Sequence, residues 1–294
     1  MSLIKRILAL CLCALLVCAA AGVYAKPLFN ASVSLTCPLK KSDVTYLSLN
    51  EEFDVSLRLK TDANYFAGPF SAQVFYTNSV LKNASADFNT KGRFYSAAKT
   101  YSGAVDSTAM TKNAENKFYP KDWSSAEKAK YNFCNITMVP SSADSISSPA
   151  NLDETLATLH LSAGTTAGSG TVFISASSIK TKSNVSGETY LSCLTDNGKV
   201  LSSRYDYGSD AVLDVADASL SFVVTDLGDV DANKKINSTD ALAILQHAVG
   251  IKEQKGDALR KCDLDGNGTP NSLDALVVLQ LATGLVHIND IVKK

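Results

Sequence analysis

Two twelve-residue runs near the C-terminus constrain this chain more than any other feature. The second, Asp263-Leu264-Asp265-Gly266-Asn267-Gly268-Thr269-Pro270-Asn271-Ser272-Leu273-Asp274, carries oxygen side chains at positions 1, 3, 5, 9 and 12 of the run. That spacing wraps one hard cation, and Gly268 stands at position 6, where the sharp turn calls for a positive φ. Thirty-four residues earlier the pattern recurs from Asp229 to Asp240. One Asp/Asn-rich run could be an ordinary solvated turn, but two in register predict two Ca2+ sites. The first would use Asp229, Asp231, Asn233, the Lys235 carbonyl, Asn237 and Asp240. The second would use Asp263, Asp265, Asn267, the Thr269 carbonyl, Asn271 and Asp274.

Each run leads into an apolar helical pattern, Ala241–Val249 and Ala275–Thr283, followed by Gly250 and Gly284 as C-terminal stops. Aligning Asp229–Ile251 with Asp263–Leu285 matches Asp, Asn, Ser, Ala, Leu, Gln and Gly positions in order, which marks an internal duplication. In the first run Lys234 stands where the second has Gly268, and a non-glycine residue at that turn costs about 1 kcal/mol. The first site is therefore expected to be the weaker.

An EF-hand has a helix before its loop and Glu at position 12; here Asp fills position 12 and no helical pattern precedes Asp229. Loop-then-helix duplicates ending in Asp resemble the dockerin module of cellulosome-type assemblies, over about residues 226–294. The resemblance implies calcium-dependent folding and binding to a cohesin module of another scaffoldin. The matching contact positions are Ser238, Thr239, Leu242, Gln246 and His247 in the first repeat, and Ser272, Leu273, Leu276, Gln280 and Leu281 in the second. Family members with matching repeats can bind in two orientations. Here Thr239 pairs with Leu273 and His247 with Leu281, so one orientation is expected to be preferred.

Before this tail lie about two hundred residues, enough for a single sizeable core, so the length implies two domains. Residues 1–25 read as a secretory signal: Lys5 and Arg6, an uncharged run from Ile7, then small residues up to Ala25. A retained membrane anchor is the competing reading. The expected product is secreted, with no membrane contact after cleavage. Formal charge is −1 for the whole chain, without the basic patch that nucleic acid would require. Cleavage would leave Cys37, Cys134, Cys193 and Cys262, whose spacing fits no zinc motif. A bridge such as Cys134 to Cys193 and buried thiols are both open readings.

From Asn30 to Val224 the pattern is of strands and turns. β-rich runs fall at 31–36, 53–60, 70–76, 131–139, 156–162, 171–177 and 218–224, which argues a β-sandwich over residues 30–225. Residues 95–130 read as a polar insertion, with a short helix expected near Pro120–Glu127. Within the sandwich, Glu51–Leu57, Phe66–Tyr76, Asn151–Leu161 and Ala167–Val172 resemble strands of cohesin, the jelly-roll partner of dockerin. That resemblance implies a face that receives a dockerin-bearing protein, built from the strands at 70–76, 131–139 and 171–177. Tyr76-Thr77-Asn78 departs from the family's usual Tyr-Asp-Pro turn.

No catalytic constellation emerges. Asp153, Glu154 and Glu188 are acids in turns without the paired placement of a glycosidase, and no Gly-x-Ser-x-Gly elbow is present. The reading is thus of a non-catalytic adaptor scaffoldin in a polysaccharide-degrading complex. The alternative is a dockerin-borne carbohydrate-binding module. It rests on Phe94, Tyr95, Tyr101, Phe118, Tyr119, Trp123 and Tyr131, which crowd the insertion and could stack on sugars, although covering of the sandwich core is their expected role.

Overall fold

The computed structural model describes residues 29–61, 66–89, 102–103, 119–120, 122–138, 153–175, 190–194, 200–202, 211–214 and 218–292. The signal-like residues 1–25 lie outside them. The elements in chain order are β1 (Phe29–Thr36), β2 (Val44–Ser48), β3 (Glu52–Thr61), β4 (Phe66–Thr77), β5 (Leu81–Phe88), β6 (Ser102–Gly103), α1 (Ser125–Lys128), β7 (Tyr131–Met138), β8 (Asp153–Ala163), β9 (Gly168–Phe173), β10 (Tyr190–Leu194), β11 (Val200–Ser202), β12 (Ala211–Asp214) and β13 (Ser219–Thr225). The tail adds α2 (Ser238–Ala248), α3 (Asp257–Cys262), α4 (Ser272–Ala282) and α5 (Ile288–Ile291).

The strands form two sheets. One has the order β12-β1-β3-β8-β5. The other runs β11-β10-β4-β9-β13-β2, with β7 on the free side of β4 and β6 beside β7. Alternation decides which side chains lie between the sheets: Phe53, Val55, Leu57 and Leu59 of β3 are buried while the residues between them face outward. They meet Phe70, Ala72, Val74 and Tyr76 of β4, Val172 of β9 and Leu220, Phe222 and Val224 of β13 in one core. A bulge at Leu57/Arg58 lets Leu156 join that core beside Ala157.

The turn after β4 seats Val80 beneath β9. A Cβ on Gly170 would stand 2.5 Å from Val80 Cγ2, and one on Gly168 would stand 2.9 Å from Val80 Cγ1. Glycine at these two positions is a packing requirement. Cys37 and Cys134 are buried in the same core, and burial pushes the Cys134 thiol up to about 12. The Cys193 side chain lies outside the described residues, and with it the Cys134–Cys193 pairing.

The tail has its own small core of Val230, Ala241, Ile244, Cys262, Leu264, Ala275 and Val278. Its helices start where Asn237 and Asn271 supply capping boxes, closed by Asp240 and Asp274. Gly250 and Gly284 end them at φ +74 and +71, as expected. A short helix, α3, precedes the second acidic loop but none precedes the first. No described helix is long and apolar enough to cross a membrane.

Candidate metal and partner sites

The two acidic loops have nearly the same geometry. In loop 1 one carboxylate oxygen from each of Asp229, Asp231 and Asp240 lies within 4.8 Å of the others, and Asp263, Asp265 and Asp274 do the same in loop 2. Backbone donors hold them there. Asp240 Oδ1 accepts from Val230 N (2.9 Å) and Asp231 N (3.2 Å), and its Oδ2 from Asn237 N (2.9 Å). Asp274 accepts from Leu264 N, Asp265 N and Asn271 N in the same way. Both aspartates are buried. Burial, and then the neighbouring Asp231, pushes the Asp240 carboxyl above its ordinary range.

Three convergent carboxylates repel one another, and a divalent cation at their centre offsets that repulsion. The donor set is all oxygen, so it suits a hard ion such as calcium. Asn233 and Asn267 sit at the turn, their side-chain oxygens accepting from Lys235 N and Thr269 N. Asn237 and Asn271 turn their Oδ1 atoms toward the helix starts, accepting from Thr239 N and Leu273 N. Position 9 of a calcium loop often reaches the ion through water, and that route suits both asparagines. The carbonyls of Lys235 and Thr269 face the Nδ2 groups of Asn237 and Asn271.

The loops differ at their turns. Loop 2 has Gly266 and Gly268 at φ +69 and +84, whereas loop 1 has Ala232 at +60 and Lys234 at +69. The sequence reading singled out Lys234 and missed Ala232. The signal was available, since Ala232 aligns with Gly266 in the duplication.

Of the expected partner positions, Ser238, Thr239, Leu242, Ser272, Leu273 and Leu276 are exposed, and Gln246, His247, Gln280 and Leu281 are half-buried. His247 Nδ1 accepts from Gln254 N, and so secures the segment after α2. Leu281 packs against the tail core and lines a cleft of about 530 Å³ between tail and sandwich. Residues 227–281 match the family model of the dockerin type I domain.

This segment is a dockerin. Its family binds calcium, and the acidic clusters described above are compatible with that. No curated protein matches the chain. Solved structures similar to it include a type I cohesin from Pseudobacteroides cellulosolvens, at 10% identity, 67% of this chain, 92% of that one and TM-score 0.32. Another is a type II cohesin domain from the cellulosome of Acetivibrio cellulolyticus, at 12% identity, 66% of this chain, 95% of that one and TM-score 0.33. A third, CaCohA2 from Clostridium acetobutylicum, has 14% identity, 66% and 91% coverage and TM-score 0.29.

The dockerin does not hang free of the sandwich. Asp226, at the junction, takes Arg260 Nη2 at 2.7 Å and Lys261 Nζ at 3.2 Å, so the entry to loop 1 is tied to α3. Lys261 is buried, which works against its charge, but Asp226 and Asp257 outweigh this and hold its pKa above the ordinary value. Further contacts cross from the C-terminal end. Asn289 bridges β2, accepting from Tyr46 N at 2.9 Å and donating to Leu39 O at 2.7 Å. Lys41 pairs with Asp290, and His287 with Glu51. Asn50 Nδ2 donates to the carbonyl of Lys234 at 2.9 Å.

In the sandwich, the three strands expected to form a receiving face do lie side by side: β4 pairs with β7 over Phe70–Thr77 and with β9 at Phe75 and Tyr76. Val74 and Tyr76 point into the main core, so Phe75 points outward. Phe75, Phe133, Phe173 and Tyr131 form an aromatic end on the outer face, against which Tyr119 and Trp123 pack. Tyr119 Oη donates to Tyr131 O at 2.8 Å. These rings therefore cover the outside of one sheet, where covering of the sandwich core itself was the expectation. Tyr119 and Phe133 are buried and Trp123 half-buried, which is not an open sugar platform. Phe94, Tyr95, Tyr101 and Phe118 lie outside the described residues.

Proposed function

We propose that this protein is a secreted, non-catalytic adaptor scaffoldin of a polysaccharide-degrading complex. Its dockerin attaches, with two Ca2+ bound, to a cohesin module on another scaffoldin, and its sandwich, over residues 30–225, receives a dockerin-bearing protein. The observation that carries the reading is the pair of acidic loops, each gathering three carboxylates and running directly into a capped helix with exposed leucines. The cohesin-like phrases in the sandwich sequence support the second half of the reading.

On the dockerin, the contact surface comprises the loop ends and helix faces of the two repeats. They are not equivalent, because Leu273 is apolar where Thr239 is polar, and Leu281 replaces His247. One orientation is preferred for that reason. On the sandwich, Tyr119 and Trp123 close the aromatic end of the β4–β7–β9 face, so an incoming module engages that face beyond those rings. The closed rings also weigh against the carbohydrate-binding alternative.

The test uses the full chain against immobilised type I cohesin modules, first in calcium and then in chelator, and the immobilised chain against dockerin-bearing proteins. Calcium-dependent capture in both arms is expected, with the first arm lost in the Asp240→Ala, Asp274→Ala double variant. Retention on insoluble polysaccharide regardless of calcium, without either capture, would overturn the adaptor reading.

A further inference from the structure

We infer that Asn50, a residue of the sandwich, is a positioning residue for the first calcium loop of the dockerin, so that calcium binding and the docking of the two modules are one linked equilibrium. The inference rests on the reading of loop 1 as a calcium site.

The hydrogen bonds trace the connection. Asp229, the first carboxylate of loop 1, accepts the Lys234 backbone N–H on both oxygens at 3.2 Å. Lys234 holds the tight turn in the left-handed region, at φ 69, without being glycine. Its carbonyl then accepts from Asn50 Nδ2. The sandwich thus grips the residue whose N–H orients a ligand and which is one of the two non-glycine residues held at positive φ in the loop. Loop 2 has glycine at both strained positions.

Asn50 is itself set for this. It sits between β2 and β3 at φ 60, a conformation that asparagine tolerates better than most residues. Its own N–H donates to Gly164 O, and that of Glu51 to Ser48 O, which fixes the turn against the sandwich. Glu51, next in sequence, holds His287, and Lys41 and Asn289 complete the clamp. A contact made only when loop 1 is folded strengthens calcium binding, and calcium strengthens the contact by the same factor.

The test follows calcium binding to the full chain through the amide signals of Lys234 and Gly268, which report the two loops separately. Asn50→Gly keeps the positive φ and removes the donor. It is expected to weaken binding at loop 1 by roughly threefold to tenfold, as a lost hydrogen bond would, with loop 2 unchanged. Adding Lys234→Gly is expected to restore loop 1, because the turn then no longer needs the grip. Sandwich stability, read from Trp123 fluorescence, serves as the control. An Asn50→Gly chain whose loop 1 binds calcium within twofold of the parent overturns the inference and leaves the dockerin reading standing. A parent chain whose loop 1 binds no calcium overturns both.

Discussion

The unequal turns of the two loops make a quantitative prediction. Holding a non-glycine residue in the left-handed region costs about 1–2 kcal/mol, and glycine gives back roughly 0.5–1 kcal/mol through the greater freedom of the unfolded chain. The net relief is therefore about 0.5–1 kcal/mol for each of Ala232→Gly and Lys234→Gly. Neither side chain is needed elsewhere, since both residues are exposed. The backbone bonds of Lys234 to Asp229 and Asn50 survive the change. Together the two substitutions should tighten calcium at loop 1 by roughly fivefold to thirtyfold, taking 1.4 kcal/mol per factor of ten. Competitive titration against a chelator of known affinity, with loop 2 disabled by Asp274→Ala in parent and variant alike, would measure it. The converse change, Gly268→Lys, should weaken loop 2 by a similar factor. An unchanged loop 1 affinity in the double-glycine variant would refute the claim that backbone strain sets the difference between the loops.

Three further outcomes are expected. Chelation should remove the helical circular dichroism of α2 and α4 while leaving the fluorescence of Trp123, the chain's one tryptophan, unchanged because it reports only the sandwich. Gly170→Ala should destabilise the sandwich by about 1–3 kcal/mol through its clash with Val80, with Val80→Ala recovering part of the loss, as read by denaturant unfolding. The hydrogen bond that His160 Nδ1 donates to Asp54, with Asp87 on the other ring nitrogen, raises the imidazole pKa above its usual 6.5. The stability this contributes is complete below the unfolded value and is lost as pH rises through the folded one; a His160 proton signal titrating at or below 6.5 would contradict it.

Much of this architecture is legible in the sequence because it is written in short repeats and periods. The loops and their helices are read twice over, and the long strands β1, β3, β4, β7, β8 and β13 follow their alternation closely. β5 goes unread because Leu81–Phe88 is rich in Asn, Ser and Asp, which strands usually avoid; it exists because it pairs with β8. β9 lies at 168–173 where 171–177 was expected, since Gly168 and Gly170 read as turn residues while the packing against Val80 makes them strand residues. The expected helix start at Pro120 shifts to Ser125, capped by Ser124. α3 and α5 are too short to show a helical period. The clamp has no sequence signal at all: Asn50 and Lys234, or Glu51 and His287, are brought together only by the fold.

The clamp and the calcium loops answer one physical difficulty. A segment of about seventy residues rarely stabilises itself by more than ~3–5 kcal/mol through its core alone, and here the buried apolar residues of the described tail number eight, two of them alanine. Two capping boxes, a buried lysine between aspartates and a seam against the sandwich add stability, but none removes the repulsion among the clustered carboxylates. A cation at the centre of each cluster would do that. On the proposed reading calcium is therefore required for the dockerin to fold, whereas the sandwich, with its far larger core, does not depend on it. Because the seam reaches loop 1, an ion that folds the dockerin would, by the inference above, also fix where it sits relative to the sandwich. Under the proposed adaptor role, the short junction at Thr225–Asp229 would transmit a set geometry between two partners, where a flexible linker would let each module search alone.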